Sequence, residues 1–387
     1  MPKMHPYVYL FSLGHFAADW AQAAIPALLP YFITTCKLSY QDAGSLIFAN
    51  ILLSSITQPF FGYYSDKISK PWFVPLGPLL CGLCLSLMAF TTNYWLLFFY
   101  SMLSGLGSSI FHPEGALLVN KISGEFKGRA LGSFSVGGNA GFALGPMVAA
   151  FCAYKFNIKG LVIFGLVNLI IACILYSRMP KVLSLTKNND SVSIDNGFKP
   201  NLPENDWPAF RKLTACIFTR SVGFTVANTF IPIYWINVLH STPTQGSFAL
   251  SLLFSLGVLM TYVGGILADK CGYIKLIRLS MVCMVPTMLI FTNSTNLWLS
   301  LGLLLPMSFA LFACYSPIVA LGQTYLGKNV GLASGVTMGL SSTMGGVVSP
   351  LVGYWADHYG IVSALQILWV AALVGAIYAF RIPKPKC

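Results

Sequence analysis

The segment GYYSDK, residues 62–67, ends a long apolar run and is followed by a short loop with lysine and proline. A segment with the same outline, GILADK, occupies residues 265–270, so the second copy lies 203 residues further along (265 − 62 = 203). The same offset relates three small residues, and one inserted residue relates two prolines: Gly128, Ala130 and Gly132 match Gly331, Ala333 and Gly335, and Pro146 matches Pro350. Several matches at one offset indicate that the chain consists of two parallel copies of one unit.

The composition around these segments indicates a membrane protein. Of 387 residues, 56% are hydrophobic and only 9% are charged, and the mean hydropathy is +0.71. Soluble domains contain about 25% charged residues, so this chain has too few to cover a surface that faces water. Its apolar residues form runs of about 20, the length that a helix needs to cross a bilayer.

The apolar runs predict twelve transmembrane helices, at residues 7–33, 42–65, 72–91, 94–121, 128–153, 158–178, 211–238, 246–268, 273–292, 296–325, 330–356 and 361–380. Residues 179–210 differ, because much of this stretch is rich in Asn, Asp, Pro and Lys and poor in large apolar side chains. Such a composition is typical of a solvated linker. We therefore expect an all-α membrane protein with two six-helix pseudo-repeats, residues 1–178 and 211–387, joined by a cytoplasmic linker.

The basic residues predict the orientation of these helices. Most of the 23 Lys and Arg residues fall on one side, whereas only Lys37, Lys155 and Lys159 fall on the other. Cytoplasmic loops carry the excess of positive charge, so both termini are expected in the cytoplasm, beneath an inner membrane. The net charge of +12 thus reflects membrane orientation and does not indicate nucleic-acid binding.

Cysteine spacing predicts no metal site. The ten cysteines mostly lie inside apolar runs, and Cys81 and Cys84 form a C-x-x-C pair. Neither a second pair nor a neighbouring histidine completes a zinc site. Small buried side chains are the simpler interpretation.

The repeated G-x-x-x-D-K segment suggests a gate. Glycine lets a neighbouring helix approach closely, and an aspartate at a helix boundary can accept hydrogen bonds from the N-terminus of an adjacent helix. Such a contact can form in one conformation and break in another. We therefore predict gating roles for Gly62, Asp66, Lys67, Gly265 and Asp269, although an aspartate that only caps its loop is the simpler alternative.

The fifth predicted span carries a row of small residues that ends in a proline. Gly132, Gly141 and Gly145-Pro146 place small residues along one helix face. That face is suited to close packing, and the proline adds a slight kink. A generic glycine-rich span is the alternative.

These motifs resemble those of the major facilitator superfamily over the whole chain. The segment after span 2 resembles the motif A of that family, and the glycine row of span 5 resembles motif C, which is associated with antiporters. Ala149 and Ala150 stand where motif C usually ends in two glycines. The resemblance implies a secondary transporter, for which a monomer is the usual state. No ATP-binding motif is present in the sequence, so we expect the energy to come from an ion gradient, without a cofactor.

A narrower resemblance, dense over residues 14–150 and thin in the second half, is to the fosmidomycin resistance protein branch. It is carried by residues 14–16 with Asp19, 58–59, 62–63, 66–67 and 71–72, by GSSIFHPE at 107–114, and by VGGN at 136–139 leading into 145–146. This resemblance implies drug–proton antiport. The substrate that gives the branch its name is fosmidomycin, an anionic phosphonate.

Four titratable side chains inside the predicted spans are candidates for proton coupling. A charge at the bilayer centre costs at least about 2.5 kcal/mol by insertion scales, so such residues are functional candidates. His15 and Asp19 are four residues apart and share one helix face. His112 and Glu114 are two residues apart on either side of Pro113, so we expect one to face the transport path and the other to pack.

Arg220 is the one cation in the core of a predicted span, away from the span ends. It could bind a substrate anion through its planar guanidinium, or neutralise Asp19 or Glu114. A static buried ion pair that only fixes helix register is the alternative.

Three amides, those of Gln58, Asn139 and Asn228, could add neutral hydrogen bonds to a substrate. Hydrogen bonds between helices, which contribute about 0.6 kcal/mol each, explain these amides equally well.

We expect a proton-coupled exporter of small molecules that exchanges only protons and substrate across the bilayer. A proton-coupled importer of a nutrient or metallophore on the same fold is the main alternative, and the motif C-like span favours antiport. A membrane enzyme ranks lower, because no nucleotide loop, zinc cluster or convincing nucleophile–base pair is present in the sequence. A channel, which would conduct without saturation or proton dependence, ranks last. Titratable carboxylates and histidines favour protons over sodium as the coupling ion.

Overall fold

The computed structural model describes residues 5–67, 71–123, 127–190, 204–329, 332–333, 336–337 and 341–385. No strand occurs in these segments. The α-helices are α1 (Tyr7–Cys36), α2 (Tyr40–Lys67), α3 (Phe73–Met88), α4 (Tyr94–Ile122), α5 (Lys127–Lys155), α6 (Val162–Asp190), α7 (Trp207–Asn237), α8 (Pro243–Cys271), α9 (Tyr273–Thr292), α10 (Leu297–Phe312), α11 (Tyr315–Tyr325), α12 (Ser341–Tyr359), α13 (Ile361–Leu365) and α14 (Ile367–Phe380).

Along the described residues these helices follow the predicted spans, and the expectation of an all-α membrane protein is confirmed. By length and composition alone, eight helical stretches of the described chain could cross a membrane, and α3 is a shorter apolar helix. Polar side chains begin several helices by accepting hydrogen bonds from otherwise unpaired backbone N–H groups. Asn93 caps α4, Asp206 caps α7 and Asn296 caps α10.

The tenth predicted span is not one helix. It is broken at Ala313 and Cys314 into α10 and α11. Pro317 follows the break, and proline has no N–H to donate to the carbonyl four residues earlier, which is that of Ala313. The backbone of Ala313 lies directly against Gly264 of α8, where any side chain would overlap it.

The sixth helix is longer than predicted, because α6 continues to Asp190 through the first part of the expected linker. By compactness the chain divides into two units, Met1–Leu28 with Ala49–Lys199, and Leu29–Phe48 with Pro200–Cys387. In the first unit α3 packs on α4 and α6, and in the second α14 packs on α7 and α9. The division at residues 178 and 211 stays a prediction.

Candidate proton and substrate sites

Two histidines flank one aspartate in the first unit. Asp19 of α1 lies with its Oδ2 3.1 Å from His15 Nε2, one helical turn earlier, and with its Oδ1 3.2 Å from His112 Nε2 of α4. Asp19 is 5% exposed and His15 is 9% exposed, while His112 is partly buried. We call His15, Asp19 and His112 the triad.

The orientation of both imidazole rings is fixed from the far side. His15 Nδ1 lies 2.8 Å from the carbonyl oxygen of Phe134. His112 Nδ1 lies 2.7 Å from the carbonyl oxygen of Ser108 and 3.0 Å from the hydroxyl oxygen of the same residue. A carbonyl oxygen can only accept, so each Nδ1 carries a hydrogen and donates it. Each Nε2 is thereby directed at the Asp19 carboxylate.

Apolar groups and a glycine enclose the triad. The rings of Phe134 and Phe111 lie 4.2 and 5.9 Å from the His15 ring, measured between centroids. Gly138 of α5 lies against His15 Nε2 and Asp19 Oδ2, so that an added Cβ would overlap both atoms. The site therefore requires a residue without a side chain at position 138.

The turn of α1 that carries Asp19 is held by a fully buried amide on α6. Asn168 Oδ1 accepts from Trp20 Nε1–H at 2.7 Å, and Asn168 Nδ2 donates to the carbonyls of Ala17 and Pro78 at 2.7 and 2.6 Å. These contacts use the oxygen and both N–H groups of one side chain. They fix α1 against α3 and α6 on both sides of Asp19.

The triad also has the donor types of a metal site. One ligand atom from each of the three residues lies within 4.8 Å of the other two, and no second group of this kind occurs among the described residues. The cysteines behave differently. Cys81 donates its thiol hydrogen to the Ser104 carbonyl, and the expectation that the chain needs no metal stays a prediction.

Arg220 lies in the second unit and is 8% exposed. Its Nε donates to the Leu311 carbonyl at 2.5 Å, in the turn that precedes the break between α10 and α11, and its guanidinium lies 5.3 Å from the centre of the Tyr315 ring. Among the described side chains of its own unit, no carboxylate oxygen lies within 4.0 Å of it. The Nε edge of the guanidinium is thus occupied by a backbone carbonyl, and one face of the group lies over the Tyr315 ring.

The other candidates for proton or substrate binding are placed separately. Glu114 is completely buried on α4, whereas Gln58 and Asn139 are half-buried on α2 and α5. Asn228 is half-buried on α7, two turns beyond Arg220, and its Oδ1 has no hydrogen-bond partner in the described residues. Within the first unit the structure therefore joins His15, Asp19 and His112, and no hydrogen bond among the described residues links Gln58 or Asn139 to them.

Most of the predicted gating side chains lie outside the described residues. Gly62, Asp66 and Lys67 belong to the end of α2, but their side-chain surroundings, like those of Asp269, are not part of the description. Gly265 is half-buried on α8, and an added Cβ would meet no atom within 4 Å.

The glycine row of α5 lies mainly against α1. Gly141 and Gly145 meet the α1 backbone around Phe16 and Trp20, and Pro146 is buried inside α5. Gly132 is exposed and meets nothing within 4 Å. Gly137, which sequence reasoning left out of the row, meets the Ser12 carbonyl, and its four-residue spacing to Gly141 was the available signal.

A contact that sequence reasoning missed lies at the start of α2. Asp357, near the end of α12, accepts from the backbone N–H groups of Tyr40 at 2.7 Å and Gln41 at 2.9 Å. Gly353 of α12 and Gly44 of α2 let the two helices meet at backbone distance. The only signal in the sequence was an acidic residue near the predicted end of an apolar span.

Comparison with known proteins agrees with this architecture. Residues 11–350 match the family model of the Major Facilitator Superfamily. The chain belongs to this superfamily. Its fold resembles that of a bacterial homologue of the human lysosomal transporter Spinster, with a TM-score of 0.80 at 12% identity over 98% of this chain and 97% of that one.

Two bacterial relatives of this superfamily protein match nearly its whole length. The fosmidomycin resistance protein of Escherichia coli is 28% identical over 95% of this chain and 91% of its own. The uncharacterized MFS-type transporter YfnC of Bacillus subtilis is 26% identical over 99% of this chain and 94% of its own. The chain is thus a multi-pass membrane transporter of the major facilitator type, as the motif resemblance implied.

Proposed function

We propose that the chain is a proton-coupled antiporter that exports small molecules, anionic ones among them, by alternating access. The observation that carries this proposal is the triad. One carboxylate lies between two imidazoles whose Nε2 atoms both point at it, within 3.2 Å. Charge in the membrane interior is costly, and a group of this kind can lower that cost by taking up and releasing protons.

The proton carriers in this proposal are Asp19, His15 and His112, with Glu114 as a further buried carboxylate. Imidazole is the side chain whose ordinary pKa is closest to physiological pH. A carboxylate between two imidazoles can exchange protons with both. The two short contacts of Asp19 with the histidines therefore depend on the protonation of these three side chains. A proton gradient is then the energy source, and the transporter needs no cofactor.

Arg220 is the proposed anchor for an anionic substrate. A guanidinium binds carboxylate, phosphate or phosphonate oxygens with two parallel hydrogen bonds. A buried cation without a carboxylate from its own unit is favoured to bind an anion. Asn139, Gln58 and Asn228 are proposed to add neutral hydrogen bonds.

The direction of transport is proposed from the relatives and from α5. The fosmidomycin resistance protein and the multidrug resistance protein MdtG of Rahnella, which is 24% identical over 95% of this chain, carry names of drug resistance. The motif C-like row of Gly132, Gly141, Gly145 and Pro146 also favours antiport. We place the transporter in the inner membrane as a monomer, with both termini in the cytoplasm and the two G-x-x-x-D-K segments as cytoplasmic gates.

Transport of fosmidomycin into inverted vesicles tests this proposal. In vesicles that carry the chain, an acid interior is expected to drive uptake, and Asp19→Asn is expected to reduce the initial rate at least about tenfold, because an amide cannot exchange the proton. Glu204→Gln, which changes an exposed carboxylate, is the control and should keep the rate.

Three results would contradict the proposal. They are full pH-driven uptake by both Asp19→Asn and His112→Gln, uptake that does not respond to the proton gradient, or transport only in the direction of import. Equal amounts of inserted protein, measured by immunoblot, exclude a folding defect as the cause of a lost rate.

A further inference from the structure

The number of protons in the triad follows from its hydrogen-bond directions. His15 and His112 each use Nδ1–H to donate to a backbone carbonyl. The Ser108 hydroxyl also lies 3.0 Å from His112 Nδ1, but the nearer carbonyl can only accept, so the hydrogen stays on that nitrogen. Each ring therefore has only Nε2 left, and each Nε2 lies within hydrogen-bond distance of a different oxygen of Asp19. We call these two contacts the links of the triad.

An unprotonated link brings two acceptors together. A neutral imidazole with hydrogen on Nδ1 has a lone pair on Nε2, and an ionised carboxylate has only lone pairs. At 3.1 to 3.2 Å these atoms repel unless a hydrogen lies between them. Each link therefore requires one hydrogen, supplied by the imidazole or by the carboxyl group.

Counting hydrogens gives one answer for every arrangement. Both rings can be imidazolium with Asp19 ionised, or Asp19 can carry a hydrogen towards one ring while the other ring is imidazolium. A carboxyl group holds only one hydrogen, so no arrangement satisfies both links with fewer than two. We call the triad closed when both links are formed. We propose that the closed triad binds two exchangeable protons and carries a net charge of +1.

The neighbouring elements supply no substitute for these protons. Among the described side chains of the first unit, no Lys or Arg nitrogen lies within 4.0 Å of Asp19. α3 contributes Cys81, whose thiol donates elsewhere, and α6 contributes the neutral Asn168. α4 also carries Glu114, a carboxyl group, and α5 faces the triad with Gly138 and a backbone carbonyl.

Two protons at one site have a consequence for coupling. Opening either link leaves an imidazole and a carboxylate that can release their proton to water, so a full opening can release both. The claim that both protons are exchanged during transport rests on the proposed antiport. The claim that the closed triad binds two protons is independent of it.

Nuclear magnetic resonance of the wild-type protein tests the count. The full chain, labelled with ¹⁵N in histidine and ¹³C in the aspartate carboxyl, is placed in lipid nanodiscs at neutral pH after treatment with EDTA. His15→Gln, His112→Gln and Asp19→Asn serve only to assign signals. His358 is the internal control, because its Nδ1 lies 2.9 Å from the Tyr354 carbonyl in the same way while the residue is exposed.

We expect two hydrogens in the links. At neutral pH both Nε2 atoms are protonated with an ionised Asp19, or one Nε2 is protonated with a protonated Asp19, and the signals of the two histidines are read against those of His358 in the same sample. One unprotonated Nε2 together with an ionised Asp19 at neutral pH would overturn the inference. So would histidines that remain neutral in EDTA and shift only when Zn²⁺ is added, because the triad would then be a metal site. If the count is two but uptake ignores the proton gradient, the proposed antiport fails and the two-proton triad remains.

Discussion

Gly138 of α5 lies against the two atoms that form the His15–Asp19 link. An added methyl group would overlap His15 Nε2 and Asp19 Oδ2, and a buried site can relieve such an overlap only by moving side chains or helices. The neighbourhood of the triad is already occupied by Phe134 and Phe111. The lack of a side chain at position 138 thus permits the close contact between His15 and Asp19 on which proton binding depends.

Gly138→Ala is expected to reduce proton-driven fosmidomycin uptake at least about tenfold, because the displaced link cannot hold its proton, while destabilising the fold by about 1–3 kcal/mol. Vesicle uptake and thermal unfolding measure the two effects. Gly302→Ala on α10 is the control, since an added Cβ there also meets no atom within 4 Å and the residue belongs to none of the proposed sites. Wild-type uptake by Gly138→Ala would show that the closed triad is not needed for transport.

Arg220 combines a planar group with an aromatic neighbour, and lysine reproduces neither feature. Arg220→Lys keeps the charge but loses the Nε contact to the Leu311 carbonyl and the stacking on Tyr315. We expect the affinity for fosmidomycin to fall about 10- to 100-fold, since a hydrogen bond to a charged group contributes about 1.5–3 kcal/mol.

Calorimetric titration of purified protein measures that change in affinity. Arg381→Lys is the control, because Arg381 also lies over an aromatic ring, that of Tyr378, but is exposed at the end of α14. Unchanged affinity in Arg220→Lys would leave Arg220 with a structural role only.

At the scale of elements, the start of α2 is fixed by a residue from the far end of the chain. The first N–H groups of a helix have no partner inside it, and the helix dipole favours an anion there. Asp357 of α12 accepts from two of these groups, on Tyr40 and Gln41, and Asn237 of α7 donates to the Tyr40 hydroxyl. Any conformational change that moves α2 away from α12 must break both contacts of Asp357.

Asp357→Asn is expected to loosen the start of α2. Replacing a carboxylate by an amide removes the charge from two hydrogen bonds and turns one acceptor into a donor, a loss of about 1.5–3 kcal/mol. Hydrogen exchange of the amides of residues 40–41 should therefore accelerate about 10- to 100-fold. Glu204→Gln should leave that exchange unchanged, and equal protection in both variants would contradict a role for Asp357 at this helix end.

The breaks and ends of elements also show where local sequence prediction stops. Apolar length predicted a single helix at residues 296–325, yet Pro317 and the approach of Gly264 divide it at Ala313 and Cys314. α6 runs to Asp190 in a stretch that looked like linker. A polar composition predicts that a stretch is exposed to water, but it does not predict that the helix ends there.

At the scale of the whole molecule, the repeat relates the two ionisable sites. Adding 203 to position 112 gives 315, so His112 of α4 corresponds to Tyr315 of α11, and subtracting 203 from 220 places Arg220 at the position of Ala17, between His15 and Asp19. Each unit thus holds its ionisable group between repeat-related helices. The first unit carries the proton-binding triad, and the second carries the guanidinium and its aromatic neighbour.

The sequence alone determined the class of the protein. The class is indicated by apolar runs of bilayer length, by the charge bias of the loops and by motifs repeated at one offset, all of which can be recognised without tertiary contacts. The superfamily model and the structure confirm the class and the fold. The pairing of His15 with Asp19 was also accessible, because residues four apart share a helix face whatever surrounds them.

Only the tertiary structure decided which residue of α4 meets that pair. His112 and Glu114 are two positions apart and point in different directions, and the sequence left open which of them faces α1. The rotation of α4 about its own axis is set by close contacts with other helices, such as Gly105 against the backbone of Asn50 and Gly107 against that of Gly77. A helix that is apolar on every side carries no local signal of its rotation, so packing against distant parts of the chain had to select His112.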